Sequence, residues 1–346
     1  MHLTFKSALP FAVIAAASVA ASPAISADAS FFEGKTLKIV IPYGPGGTYD
    51  KYGASFAKHL RKHIPGNPNL ILQHMPGAGG SKAMNFTYNI MAKNGHNMVV
   101  PLDNSVSNQL MRPEKMKFKT NKFNWLGSSN QTNTVMVVRS DTGIKAVMDM
   151  KNIEVIGATS GKSSSGYINP RLVWGLLGLK GRMVTGYKGS SRSMLAMEQG
   201  EAQMGAFNWL AWASKVPHWF KGDKPFARAI VQVGFFRDPD LPETPLLSEL
   251  IKPENKAVVD FIASAGPIGR GLTLPPGVRK DVIQTLRKAY SAMNADAAFA
   301  AELKKKRLRL IPSDGKIIQK IIEDAIKSAT PAVVERARKI IYGGST

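Results

Sequence analysis

Short β-type runs alternate with amphipathic helical runs along this chain of 346 residues. The run TLKIVIP at residues 36–42 is rich in aliphatic side chains, and the run NLILQHM follows at residues 69–75. Between them, Tyr52, Phe56 and Leu60 recur every four residues and form one apolar stripe on a helix. This spacing predicts a right-handed βαβ unit, and such repeats build a parallel sheet. The alternation therefore points to an α/β fold.

A second series of β-type and helical runs begins near Val135, and after it the segment VVDFIASAGPIGRGL is expected to return to the first series as a strand. We predict two lobes, each an open mixed or parallel sheet flanked by helices, with a cleft between the lobes. Residues 31–130 plus 262–346 are assigned to lobe 1 and residues 131–261 to lobe 2, with hinges near 128–135 and 261–265. Because ligands of open α/β sheets bind beyond the carboxyl ends of the strands, the loops that follow strands are the candidate site.

The N-terminus has the features of a secretory signal peptide. Lys6 precedes an apolar run at residues 8–20, and the small residues of ASPAISADAS offer cleavage points near Ala27 or Ala29. An alanine-rich run of this kind has little to pack with as a buried helix, and it is too short to span a bilayer comfortably. We therefore expect residues 1–27 to be removed and the mature chain to be periplasmic. The absence of cysteine fits large periplasmic domains better than a small disulfide-stapled fold.

The charge balance is strongly basic, with a formal net charge of +22. The lysines and arginines are spread over most segments, and the only dense run is KKKRLR at residues 304–309. A nucleic-acid-binding domain usually clusters its charge on one face or motif, so we expect no nucleic-acid partner. A diffuse basic surface instead attracts small anions or anionic headgroups.

Two glycine-rich loops follow the first two predicted strands. In YGPGGTYD, residues 43–50, Gly46 and Gly47 leave backbone amides uncovered, and Thr48 can cap the next helix. The loop MPGAGGSK, residues 75–82, repeats this design and ends near Ser81. Uncovered amides at a helix N-terminus bind anions by hydrogen bonding and by the helix dipole.

The stretch EVIGATSGKSSSGYI, residues 154–168, raises the question of a nucleotide phosphate loop. A Walker motif requires glycine five residues before Gly161, but Ile156 stands there and Gly157 comes one residue too late. The stretch nevertheless places several donors after a strand, and such donors suit a carboxylate. These donors are the amide of Gly161 and the hydroxyls of Ser160, Ser163, Ser164 and Ser165.

Four segments resemble a known family: IVIPYGPGGTYD, MPGAGGSKA, GYKGSSRSMLAMEQGEAQMG and FFRDPDLPETPLLSEL are similar to signature segments of the solute-binding receptors of tripartite tricarboxylate transporters, the Bug family. The resemblance implies a two-lobed periplasmic binding protein fold that closes on a small organic carboxylate and delivers it to membrane permease subunits. It implies that the loops at residues 43–50 and 161–165 face each other across the cleft and hold a carboxyl group. It also places Asn104 and Ser105 at ligand-contact positions.

Three further candidates carry two interpretations each. Asp50 could bind a ligand ammonium, although complementing its helix N-terminus is the favoured interpretation. Lys188 could meet a distal carboxylate or lie on the surface after a turn. Phe207, Asn208 and Trp209 follow a predicted strand, and the two aromatic residues among them could form a side wall of the cleft for an aromatic or long-chain acid, or belong to the core.

The residue types needed for catalysis or metal binding do not form a convincing pattern. His59 and His63 have a metal-ligand spacing, but Leu60 replaces the glutamate of a zincin and cations flank the pair. We expect a monomeric binding protein without cofactor, metal or catalytic residues; the alternatives are an exported hydrolase on a similar scaffold and a basic surface protein that binds anions or nucleic acid. The candidate ligand-binding residues are Tyr43, Gly46, Gly47, Thr48, Asp50, Ser81, Asn104, Ser105, Gly161, Ser163, Ser164, Ser165, Lys188, Phe207 and Asn208.

Overall fold

The computed structural model describes residues 29–343, so the predicted signal peptide lies outside the described residues. The strands are β1 (Thr36–Ile41), β2 (Asn69–His74), β3 (Asn97–Val99), β4 (Asn124–Ser128), β5 (Thr134–Arg139), β6 (Ile156–Thr159), β7 (Arg182–Thr185), β8 (Met204–Asn208), β9 (Ala227–Val233), β10 (Gly271–Leu274) and β11 (Ser313–Asp314). The helices are α1 (Ala29–Phe32), α2 (Thr48–Leu60), α3 (Ser81–Asn89), α4 (Ser105–Met111), α5 (Ser165–Leu177), α6 (Ser190–Glu198), α7 (Trp209–Lys215), α8 (Lys256–Ala263), α9 (Lys280–Asn294), α10 (Ala297–Lys305), α11 (Gly315–Ser328) and α12 (Pro331–Tyr342).

The strands form two mixed sheets, each flanked by helices. The first has the order β11-β4-β10-β3-β1-β2, in which β1 runs parallel to β2 and β3 while β10 runs antiparallel to β3 and β4. The second has the order β7-β6-β8-β5-β9, in which β6 runs parallel to β7 and β8 while β5 runs antiparallel to β8 and β9. The predicted fold class is confirmed. Among the described helices, none is both long and apolar enough to span a membrane.

The connections between the sheets differ from the prediction in two respects. The segment expected to return as one strand is helix α8 followed by β10, because Val258, Val259, Phe261 and Ile262 are buried at helical spacing in the core of the second lobe. The second crossing therefore lies at residues 264–270, and it runs beside the first: the Ser129 amide donates to the carbonyl of residue 270 at 2.8 Å. A third crossing occurs at residues 329–330, since α11 lies on β4 whereas α12 packs on α5 and α8.

Helices α2 and α10 of the first lobe are joined by a cluster around Glu302. Its carboxylate accepts hydrogen bonds from Lys58, His59, Lys306 and Ser55. Burial opposes ionisation of this carboxyl, but these donors outweigh it and hold the pKa of Glu302 well below its ordinary value. A lowered folded-state pKa contributes stability that is complete above the ordinary glutamate pKa of about 4.3 and is lost as the pH falls.

We therefore expect Glu302→Gln to lower the free energy of unfolding at neutral pH by about 1–3 kcal/mol, because hydrogen bonds to a charged group are replaced by weaker ones. The difference from the unsubstituted protein should shrink as the pH falls from about 5 toward 3, because the carboxyl then takes up a proton in the unfolded chain while the folded protein still holds it ionised. Urea unfolding at both pH values measures this, with the exposed Glu335→Gln as the matched control. A difference that does not change with pH would show that the charge of Glu302 is not what joins the two helices.

Candidate functional site

A cavity of about 50 Å³ lies between the lobes, at the carboxyl ends of β1, β6 and β8. This is room for about three or four water molecules. The residues that line it are Tyr43, Gly44, Gly47, Thr48, Tyr49, Asp103, Ser160, Ser164, Ser165, Gly166, Gly189, Ser190, Ala206, Phe207, Asn208 and Arg270.

Three helices begin at this cavity. Thr48 opens α2 from the first lobe, while Ser165 and Ser190 open α5 and α6 from the second. The N-terminus of an α-helix carries a partial positive charge and amides without intrahelical acceptors. Helix termini from opposite lobes therefore place converging positive potential on one small volume, which favours an anion.

Arg270 brings a full positive charge into the same cavity. Only 2% of the residue is exposed, and it lies in the second crossing between the lobes. Its guanidinium carbon lies 3.8 Å from the centre of the Tyr49 ring, and Nη1 donates to Asp103 Oδ2 at 3.1 Å. Burial opposes the charge, but the facing Tyr49 and Asp103 outweigh it and raise the pKa of Arg270 above its ordinary value. The cavity thus contains a permanently charged donor.

The remaining donors of Arg270 are weakly engaged within the protein. Both Nε and Nη2 lie 3.4 Å from Thr48 Oγ1, which is beyond the usual hydrogen-bond distance. These two atoms form the edge of the guanidinium that matches the geometry of a carboxylate. A carboxylate that enters the cavity would therefore form two short hydrogen bonds with Nε and Nη2 of Arg270, in place of their two long contacts with Thr48.

Seven of the predicted residues line the cavity: Tyr43, Gly47, Thr48, Ser164, Ser165, Phe207 and Asn208. Burial raises the pKa of Tyr43 well above its ordinary value, so its neutral hydroxyl donates to the Gly79 carbonyl at 3.1 Å. The Asn208 side chain caps α7 through the Ala211 amide and donates across the cleft to Thr48 Oγ1 at 3.1 Å. Phe207 packs on Trp212, with the two ring centres 5.2 Å apart.

Four other predicted residues, Asn104, Ser105, Gly161 and Ser163, do not line the cavity and are near a contact between the lobes. The Ser163 carbonyl accepts from Nδ2 of Asn104 at 2.9 Å and from Nδ2 of Asn108 at 2.8 Å. Gly161 lies directly against the backbone of Gly79. Ser105 is fully buried at the start of α4. The 161–165 loop therefore contacts the first lobe directly, and its residues Ser164 and Ser165 also line the cavity.

Gly46 and Lys188 border a second cavity of about 440 Å³, next to the first. Lys188 contributes its carbonyl to the contact between the lobes, where it accepts from the Gly44 amide at 2.6 Å. Arg192 and Lys215 also border this cavity, so its wall is basic.

The last two predicted residues hold their own loops. Asp50 accepts from the Gly46 amide at 2.8 Å and from His74 Nε2 at 2.7 Å, in agreement with the favoured interpretation that it complements the start of α2. The Ser81 hydroxyl donates to the Ala78 carbonyl at 3.0 Å. His59 and His63 bind Glu302 and Asp296 respectively. Within residues 29–343 no group of three or more potential metal-ligating side chains occurs.

Four polar residues of the cavity wall, Arg270, Asp103, Tyr49 and Ser190, are not among those predicted from the sequence. A signal for Arg270 was present: it is a lone charge inside the apolar segment GPIGRGLTL, where a strand is expected, and a buried charge needs a partner. Asp103, in PLDNS directly after β3, is that partner. Arg270 and Asp103 are far apart in the sequence and meet because β10 lies next to β3 in the sheet. No local sequence pattern indicates that these two strands are neighbours.

The chain resembles a curated protein along most of its length, although no family model matches it. That relative is a UPF0065 protein of Bordetella pertussis, with 20% identity over 320 residues that cover 90% of this chain and 93% of that protein.

Solved structures extend the likeness to the whole fold. The periplasmic binding protein BugD superposes with a TM-score of 0.70 at 16% identity, covering 88% of this chain and 97% of BugD. MatC from Rhodopseudomonas palustris, solved with bound malate, superposes with a TM-score of 0.69 at 16% identity, covering 89% of this chain and 99% of MatC. The predicted resemblance and the two-lobed periplasmic-binding-protein fold are confirmed.

Proposed function

We propose that this protein is a periplasmic receptor that binds a small organic carboxylate between its lobes and delivers it to the membrane permease subunits of a tripartite tricarboxylate-type transporter. The observation that carries the proposal is the cavity in which Arg270 meets helix N-termini from both lobes. The malate bound by MatC, a protein of the same fold, supports the same class of ligand.

The chemistry of the cavity matches a carboxylate in charge and in donor geometry. The guanidinium edge of Arg270 supplies two parallel donors, and the amides at the starts of α2 and α5 supply further donors from opposite sides. Because Arg270 and Thr48 are almost fully buried, hydrogen bonds formed there are stronger than they would be on an exposed surface. Binding therefore requires no covalent step, and we propose that the protein is not an enzyme.

Closure of the lobes is the second part of the proposed function. The lobes contact each other through direct bonds at the rim of the cavity, including Gly44 amide to Lys188 carbonyl and Lys51 Nζ to Ser214 Oγ at 2.9 Å. The paired crossing segments at residues 129–133 and 264–270 are the hinge about which such a closure would occur. A carboxylate that bridges both walls favours the closed form, which the permease can then distinguish from the open form.

A thermal-shift experiment tests the proposed function. The chain from residue 28 onward, refolded to remove any ligand carried through purification, is heated with mono-, di- and tricarboxylic, aromatic and amino acids in turn. A ligand that binds only the folded state stabilises it by about 2.7 kcal/mol at a hundred times its dissociation constant, so the midpoint should rise saturably with at least one acid. Calorimetry then gives the affinity. If no acid in the panel shifts the midpoint, the proposed function is wrong.

A further inference from the structure

Tyr342, the last residue of helix α12, contacts the 161–165 loop but does not line the cavity. Its hydroxyl donates to the Lys162 carbonyl at 3.1 Å. The carbonyl of the preceding residue, Ile341, accepts from Arg171 Nε at 3.0 Å, and this bond fastens the end of α12 to α5. The end of α12 therefore supports a loop whose other residues contribute to the cavity wall.

The ring of Tyr342 is held in place by two neighbours. It lies nearly parallel to the ring of Tyr167, at an angle of 14° and with the ring centres 6.1 Å apart. The guanidinium carbon of Arg112, from the first lobe, lies 5.1 Å from the centre of the Tyr342 ring, and Arg112 Nη1 donates to Ser163 Oγ at 3.2 Å. Burial raises the pKa of Tyr342 above its ordinary value, so its hydroxyl is a neutral donor at neutral pH. Tyr342 and Arg112 thus hold two successive residues of the loop.

These contacts keep two carbonyl oxygens of the loop bonded outside the cavity. The Lys162 carbonyl accepts from Tyr342, and the Ser163 carbonyl accepts from the two asparagine side chains described above. None of these three donors lines the cavity. Because a peptide unit is planar, a fixed carbonyl also fixes the direction of the amide that follows it. A carbonyl oxygen turned into the cavity would place a partial negative charge against a carboxylate and repel it.

The loop depends on outside contacts because its own bonds do not fix this peptide unit. Gly161 has a φ of +151°, a conformation that glycine adopts without strain, so the loop begins at a permissive residue. Within the loop, the amide and the hydroxyl of Ser164 donate to the Gly161 carbonyl at 3.0 Å and 2.8 Å. Neither bond involves the carbonyl of Lys162. Removing the Tyr342 hydroxyl would therefore release the peptide unit between Lys162 and Ser163.

Resting on the proposed function, we propose that Tyr342 is a positioning residue for the ligand. It touches no part of the cavity and acts through the 161–165 loop, by holding the peptide unit between Lys162 and Ser163 in the orientation that suits an anion. The C-terminal end of the chain thereby contributes to the affinity of a site formed by residues far from it in the sequence. The expected contribution is that of one hydrogen bond, about 3- to 10-fold in the dissociation constant.

Calorimetry tests the inference on the chain from residue 28 onward, refolded to remove any carried ligand, with acetate, malate, citrate, benzoate and glutamate as probes. Tyr342→Phe keeps the ring and removes only the hydroxyl, so each acid that binds the unsubstituted protein should bind about 3- to 10-fold more weakly. Tyr187→Phe is the matched control and should leave the affinity unchanged, since it removes a hydroxyl of the same lobe that donates to the exposed Glu201. Equal affinities of Tyr342→Phe and the unsubstituted protein would overturn the inference and leave the proposed function standing.

Hydrogen exchange without ligand separates a positioning role from a contribution to overall stability. Exchange over residues 160–168, followed by mass spectrometry, should be at least about threefold faster in Tyr342→Phe, while exchange over β1 should be unchanged because the released peptide unit is local. An equal acceleration over both segments would show that Tyr342 only stabilises the fold, and it would overturn the inference. Absence of binding by the five acids and by the wider panel would contradict the proposed function; unchanged exchange over residues 160–168 would separately contradict the role of Tyr342 in holding the loop.

Discussion

Arg270→Gln is expected to weaken carboxylate binding by about 2–5 kcal/mol, which is the usual cost of truncating one partner of a buried, hydrogen-bonded charge pair. The substitution removes both donors of the guanidinium edge and the only full positive charge among the residues that line the cavity within the described chain. It also leaves the Asp103 carboxylate without its ion-pair partner, so the cavity changes from attracting an anion to repelling one. Titration calorimetry with an acid that binds the unsubstituted protein measures the effect.

Two further variants assign the cause of that loss. In the double variant Arg270→Gln with Asp103→Asn the cavity has no side-chain charge, so part of the affinity should return if repulsion by unpaired Asp103 contributes to the loss. Arg279→Gln changes an exposed arginine that pairs with Asp281, and it should leave binding unchanged. An affinity of Arg270→Gln within about threefold of the unsubstituted protein would exclude Arg270 as the anchor of the ligand, since one charge-assisted hydrogen bond is worth more than that.

The parts of the site that could be predicted from sequence are those set by local chemistry. A strand followed by glycine and a hydroxyl residue predicts a helix N-terminus with free amides, and the loops around Thr48 and Ser165 take that form and line the cavity. Asp50 stands in the first turn of α2, where a carboxylate is favoured, and it accepts from an amide of its own loop.

The parts that could not be predicted depend on contacts between distant segments. Arg270 reaches the cavity because β10 inserts antiparallel between β3 and β4, and this places the second crossing next to the loop of Asp103. The sequence of helix α8 resembles a strand because Val258 and Val259 begin a β-branched, apolar run, and burial on one helical face overrides that local propensity. The C-terminal helix α12 has an amphipathic pattern that shows one face must be buried but does not indicate which lobe covers it.

Lobe closure also depends on a contact between distant segments, in which Gly79 of the first lobe packs against the 161–165 loop of the second. A substitution at Gly79 is therefore expected to have the second large effect on ligand binding. Its backbone meets the 161–165 loop of the other lobe so closely that a Cβ on Gly79 would lie 2.6 Å from the Ser164 amide nitrogen, 2.9 Å from that of Ser163 and 3.0 Å from the Gly161 carbonyl oxygen. All three neighbours are backbone atoms, so no side-chain rotation can relieve the overlap. Gly79→Ala should therefore hold the lobes apart, whatever ligand is present.

The expected result for Gly79→Ala is a loss of affinity of at least about tenfold, because the apparent dissociation constant rises in proportion to the fall in the closed population. X-ray scattering with saturating ligand should show a larger radius of gyration than that of the unsubstituted protein. Gly34→Ala is the matched control: its φ of +66° is close to the +68° of Gly79, but a Cβ there meets nothing within 4 Å. Both variants carry the strain of a left-handed alanine, about 1–2 kcal/mol, so both should lose stability while Gly79→Ala alone loses affinity. Equal affinities in the two variants would mean that the ligand-bound form does not use the Gly79–Ser164 approach, and that the lobes close on their ligand in another arrangement.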